Sequence, residues 1–88
     1  MTPDVLKVAP MPDFSLIAEF TTGEKRRFDM RPYLDYPAFS ALKESNLFMH
    51  AHVEYGVVVW TDDIDLSPDT LYLRGEPCDF FVSERDLP

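Results

Sequence analysis

The segment Val57-Val58-Val59-Trp60-Thr61-Asp62-Asp63-Ile64-Asp65-Leu66-Ser67-Pro68-Asp69-Thr70-Leu71-Tyr72 constrains the fold more than any other part of the chain. Three valines running into a tryptophan describe a β-branched strand that needs cover. Ser67-Pro68-Asp69 then writes a helix start. Serine is a favoured N-cap, proline suits the first helical position, and an acid in the first turn complements the helix dipole. Gly75 stands where a left-handed C-terminal cap would fall, so a short helix over about 68–74 is predicted.

The rest of the chain reads mainly as strands. Asp4 to Ala9 forms a first strand closed by Pro10 and Pro12. Phe14, Leu16, Ala18 and Phe20 share one face of a second, and the turn Thr21-Thr22-Gly23-Glu24 leads into a third over Lys25–Met30. Arg31 to Pro37 is a connection, because Pro32 and Pro37 forbid a long helix. Ala38 to Glu44 suits about two helical turns, with Phe39 and Leu42 on one face. Leu47 to Tyr55 is predicted as strand, and Gly56 as a reversal or bulge before Val57–Thr61. These elements predict an α+β fold: a small, mostly antiparallel sheet of four to six strands with two short helices. With 88 residues the chain has room for one domain, 1–88, ending in a tail over 76–88.

Composition narrows the function. The net charge of −8 is uneven: residues 1–44 hold seven acids and six bases, residues 45–88 nine acids and two bases. Nucleic-acid affinity depends on clustered Lys and Arg displacing counterions from phosphates, so direct nucleic-acid binding is not expected. An acidic half keeps the chain soluble or complements a basic protein partner. No apolar run approaches the roughly 18–20 residues needed to cross a bilayer, and Met1–Pro12 lacks the apolar stretch of a signal peptide. A lone cysteine, Cys78, suits a reducing compartment, and a cytoplasmic location is expected.

Around Trp60 and the acidic turn, an ordered set of elements carries a resemblance. They are Val5 to Val8, Leu16 to Phe20, Gly23-Glu24, Arg27-Phe28-Asp29, Pro32-Tyr33-Leu34, Leu47-Phe48, Val58-Val59-Trp60 and Asp65 to Tyr72. Over residues 4 to about 74 the chain resembles a small bacterial family known as domain of unknown function 2442. The resemblance implies an α+β domain with a mostly antiparallel sheet. It also implies, for some members, fusion to a helix-turn-helix domain, and for others a gene neighbour in a toxin–antitoxin-like arrangement. With 88 residues, this chain is expected to depart from the fused kind, without a helix-turn-helix. The family brings no catalytic residues to carry over.

Three constellations merit a chemical reading. Asp62, Asp63, Asp65 and Asp69 suggest a calcium loop, but a loop begun at Asp63 places Pro68 where glycine is needed and Arg74 where glutamate is needed. A turn and helix cap explains these acids better, with Asp65 or Asp69 accepting backbone N–H bonds. His50, His52 and Glu54, at alternate positions, form a candidate metal set, against the plainer reading of a strand with a wet polar face. Lys25-Arg26-Arg27 reads as a salt-bridged strand edge, or as an anion or partner-docking site, the latter together with Phe80 and Phe81. Nucleophilic catalysis has no motif, the glycines are too dispersed to cradle phosphate, and no cofactor is implied.

The expectation is therefore a non-catalytic module that binds a protein partner, in its most specific form the neutralising member of a toxin–antitoxin-like pair. Two alternatives stand beside it. One is a small metal- or ligand-binding protein or enzyme using His50, His52, Glu54 and the Asp62–Asp65 turn. The other is a homodimer whose Phe80-Phe81-Val82 tail crosses to a second subunit.

Overall fold

Alternation along the first third of the chain builds a meander. β1 (Val5–Pro10), β2 (Ser15–Phe20) and β3 (Lys25–Asp29) pair antiparallel, and a two-residue strand, β7 (Glu76–Pro77), pairs antiparallel with β3. The result is a four-stranded sheet in the order β1-β2-β3-β7. This structure, a computed structural model, describes residues 2–79 and 81. A second, three-stranded antiparallel sheet holds β4 (His52–Glu54), β5 (Val57–Thr61) and β6 (Ile64–Leu66) in that order. Between the sheets run 3-10 turns at Arg31–Tyr33 and Ser40–Lys43 and a single helical turn, α1 (Ser45–Phe48); α2 (Pro68–Arg74) lies between β6 and β7.

One core joins the sheets. Leu16, Ala18 and Phe20 of β2, Phe28 of β3, Val58 and Trp60 of β5, Leu66 of β6 and Leu71 of α2 belong to a single buried cluster, with Leu42 and Phe48 from the connection. Strand alternation explains the choice of residues: Val58 and Trp60 point inward while Val57 and Val59 point outward. The Trp60 indole N–H donates to the Phe48 carbonyl at 2.9 Å, which ties β5 to the end of α1. The Phe48 ring stands 5.1 Å from Phe14 and 6.0 Å from Trp60. A backbone bond from Val5 N–H to the Gly56 carbonyl, 3.0 Å, links the edge of the first sheet to the β4–β5 turn.

The helix predicted over 68–74 is α2, Pro68–Arg74, and the Ser67 side chain accepts from Thr70 N–H at 3.2 Å. Other expectations need correction. The strands divide between two sheets because the connection from Arg31 to Ala51 turns the chain away from β3 rather than adding to its edge. Leu47–Tyr55 is not one strand. Leu47 and Phe48 finish a helical turn, and pairing starts only at His52. Ala38–Glu44 contains a 3-10 turn rather than two α-helical turns, although Leu42 is buried as its spacing indicated. Gly75 is extended (φ −76°), not left-handed. Glycine is needed there for space: a Cβ would lie 2.5 Å from the Leu71 carbonyl oxygen. Lys25–Arg27 is not a free edge, since β7 pairs with Arg26 and Arg27. Between the acidic turn and α2 the chain forms β6, so Asp62 and Asp63 sit at a hairpin rather than at a direct strand-to-helix corner.

Candidate functional site

The outer face of the β4-β5-β6 sheet is built by period-two alternation in β5. With Val58 and Trp60 in the core, Val57, Val59 and Thr61 face away from it, each half-buried. Register places His52 and Asp65 on either side of Val59, and Glu54 beside Val57. The β4–β5 connection has only two residues, Tyr55 (φ +53°) and Gly56 (φ +79°), the positive-φ pair of a type I′ hairpin turn. At Gly56 the requirement is double, because a Cβ would also meet Asp4 Cβ at 2.7 Å. At Tyr55 the conformation is unfavourable for a bulky side chain, and the residue is fully exposed at 101%. Tyr55, Glu54, Val57, Val59, Thr61, Asp62 and Asp65 line a groove of about 320 Å³. No lysine or arginine is among these lining residues.

The histidine and glutamate of the candidate metal set meet each other. His52 Nε2 lies 2.7 Å from Glu54 Oε2, and its Nδ1 lies 2.9 Å from the His50 carbonyl oxygen. Both ring nitrogens face acceptors, so both serve best as N–H donors. The His50 carbonyl first, and the Glu54 carboxylate second, raise the His52 pKa above its ordinary value. His50 itself is exposed on the turn after α1, outside the strand, and joins this arrangement through its backbone. Among the described residues no group of three His, Cys, Asp or Glu side chains is placed to hold a metal ion.

The basic run is absorbed into the fold. Arg26 stacks its guanidinium 4.6 Å from the Tyr72 ring and pairs with Glu24 at 3.1 Å. Tyr72 Oη donates to the same carboxylate at 2.8 Å, so Tyr72 first and Arg26 second hold the Glu24 pKa below the usual carboxylate range. That triangle fastens α2 over the β2–β3 hairpin. Arg27 reaches Asp13 at 2.9 Å; Asp13 also accepts from the Ser15 hydroxyl, the main cause of its lowered pKa. Lys25 is half-buried and sits opposite Glu19. Phe81 stands with its ring 5.7 Å from Lys7 Nζ of the same chain; Phe80 lies outside the described residues.

The acids of the 62–69 region are not cap acceptors. Ser67 performs the capping, and Asp63 donates its own N–H to Thr61 Oγ1 at 3.2 Å. Asp62 and Asp65 are exposed and have no ion pair within the described chain. What this face can do chemically is attract a cation to carboxylates bordering two valines and an exposed phenol ring. The single strand predicted over Leu47–Tyr55 keeps Tyr55 inside a strand, whereas it stands in the hairpin turn. Its neighbour Gly56, able to take positive φ, was the signal that could have moved it to a hairpin tip.

Two antiparallel sheets on a shared core, with two helices, define a small α+β domain. The chain belongs to the family described as Protein of unknown function (DUF2442), which matches residues 5–77. The match runs through β7 and so includes the strand that closes the first sheet. No curated protein and no solved structure matches the chain. Among the described residues no helix is long and apolar enough to cross a membrane.

Proposed function

We propose that this protein is a non-catalytic protein-interaction module, and that its specific role is that of the neutralising member of a toxin–antitoxin-like pair. The observation that supports interaction is the outer face of the β4-β5-β6 sheet. There a fully exposed tyrosine and two half-buried valines stand among exposed carboxylates. Aromatic side chains at the centre of a wet rim are the usual anchors of protein interfaces. The remaining polar clusters argue for the same role by their construction. Glu24, Arg26 and Tyr72 satisfy one another, as do His52 and Glu54, so these side chains support the fold and leave the β5 face as the surface open to a partner.

The test is affinity purification of the tagged chain from its native cell, together with co-expression beside the product of the neighbouring gene. A stoichiometric protein partner, and restored growth when that product is toxic, are the expected results. No partner and no rescue would refute the role.

A further inference from the structure

We propose that the groove on the outer face of β5 receives an arginine-bearing extended segment of a basic partner protein, with Tyr55 as its anchor. This rests on the interaction reading above and says where the partner docks and which chemistry it presents.

Size comes first. At about 320 Å³ the groove lies at the small end of the roughly 300–1,000 Å³ typical of ligand pockets, which suits one or two side chains better than a nucleotide-sized cofactor. Lining comes second. Val57 and Val59 offer an apolar floor for a methylene stem, and the Tyr55 ring borders that floor at the hairpin tip. Long basic side chains lay their stems on apolar surface while their charged heads stay at the polar rim.

Charge decides the sign of the occupant. Glu54, Asp62 and Asp65 all line the groove, and no base does. Glu54 is paired with His52, whereas Asp62 and Asp65 have no cation within the described chain. An anionic or purely apolar segment would leave these carboxylates facing like charge or stripped of water, and a cationic one satisfies them. Arginine fits better than lysine because its planar guanidinium can stack on the Tyr55 ring and present a fork to a carboxylate.

The experiment is an NMR titration of the 15N-labelled 88-residue chain at physiological salt. The probe is a synthetic hexapeptide alternating valine and arginine, compared with its valine–glutamate counterpart. The arginine peptide is expected to shift backbone resonances of Glu54 to Asp65 and to leave Asp35 and Glu76 unmoved. Tyr55→Asn, and separately Asp62→Asn with Asp65→Asn, each keep the spectrum of a folded chain and weaken binding at least about tenfold. Equal shifts over all acidic surfaces, equal binding of the glutamate peptide, or full affinity in the Tyr55→Asn variant would overturn the proposal.

A second arm separates the two readings. If the partner captured from native cells binds the Tyr55→Asn, Asp62→Asn, Asp65→Asn variant as well as the parent, the groove is wrong and the interaction role stands. If the arginine peptide behaves as expected but no partner is captured, the groove stands and the interaction role falls.

Discussion

Replacing Tyr55 by asparagine should make the fold more stable. The residue holds φ +53° and its side chain is fully exposed. A left-handed conformation costs an ordinary L-residue roughly 1–2 kcal/mol, while asparagine tolerates it well and is a preferred residue in two-residue hairpins. A side chain at full exposure has no folded-state burial to lose, so the backbone term acts alone. Recovering about half of the cost stabilises by about 0.5–1 kcal/mol. For an 88-residue chain, an unfolding entropy of ~2.1 cal/mol/K per residue converts this to a rise in Tm of about 3–5 °C. Thermal unfolding followed by far-UV circular dichroism is sufficient, with Tyr55→Ala as the control. Alanine removes the ring but keeps most of the strain, and its Tm should stay close to the parent's. A Tm that falls in Tyr55→Asn would refute the argument, since it would mean that the ring makes a stabilising contact in the folded state. A rise in both variants would place the cost in the ring rather than in the backbone.

Trp60→Phe removes the indole donor to the Phe48 carbonyl and shrinks a buried ring, so it should cost about 2 kcal/mol and lower the urea midpoint by roughly 1–2 M. Gly56→Ala meets both a positive φ and Asp4 Cβ at 2.7 Å, whereas Gly23→Ala meets a positive φ with open space around the new methyl group. Chemical denaturation should therefore show Gly56→Ala as the more damaging by about 1–2 kcal/mol, and equal losses would count against the close approach. His52 should titrate above the 6.5 of an unperturbed histidine when followed by its ring-proton shifts, and Glu54→Gln should lower the midpoint. Because the folded value is the raised one, the stabilisation from His52 is complete below ~6.5 and disappears as pH rises through the folded pKa. A midpoint unmoved by Glu54→Gln would show that the carboxylate makes no contribution.

Local rules carried much of the fold. Ser67 and Pro68 mark the start of α2 because an N-cap and a first-turn proline act within one turn of chain, with no help from tertiary structure. The alternation of Leu16, Ala18 and Phe20 likewise marks β2, whose core face they supply. The reading fails where the phase of the pattern changes. Leu47 and Phe48 look like strand residues, but Phe48 is held at the end of α1 by contacts far away in sequence, with Phe14 and with the Trp60 indole. A single period carried across that break leaves Tyr55 inside a strand instead of in the hairpin turn. Two sheets instead of one follow from the same cause. Contacts such as Phe48 with Phe14 and with Trp60 join residues far apart in the chain, and such pairings are invisible to a one-dimensional period.

The candidate site was hidden for an electrostatic reason. A basic run and an acidic block, seen in sequence, both look like docking surfaces. In the folded chain Arg26 pairs with Glu24, Arg27 with Asp13, Arg31 with Asp29 and Lys43 with Asp35. All eight of these residues lie within the first 44, so the bases of that half are largely spent on its own acids. Exposed pairs of this kind add little stability, but they cancel charge locally. Residues 45–88 hold nine acids, and among the described residues of that half Glu54 pairs with His52, Arg74 is the one Lys or Arg, and Asp62 and Asp65 stand without an ion pair beside the β5 face. Carboxylates that no base of the described chain cancels thus stand beside one face of one sheet. A partner is selected by such a residual field, and reading it requires knowing which charges the fold has already neutralised.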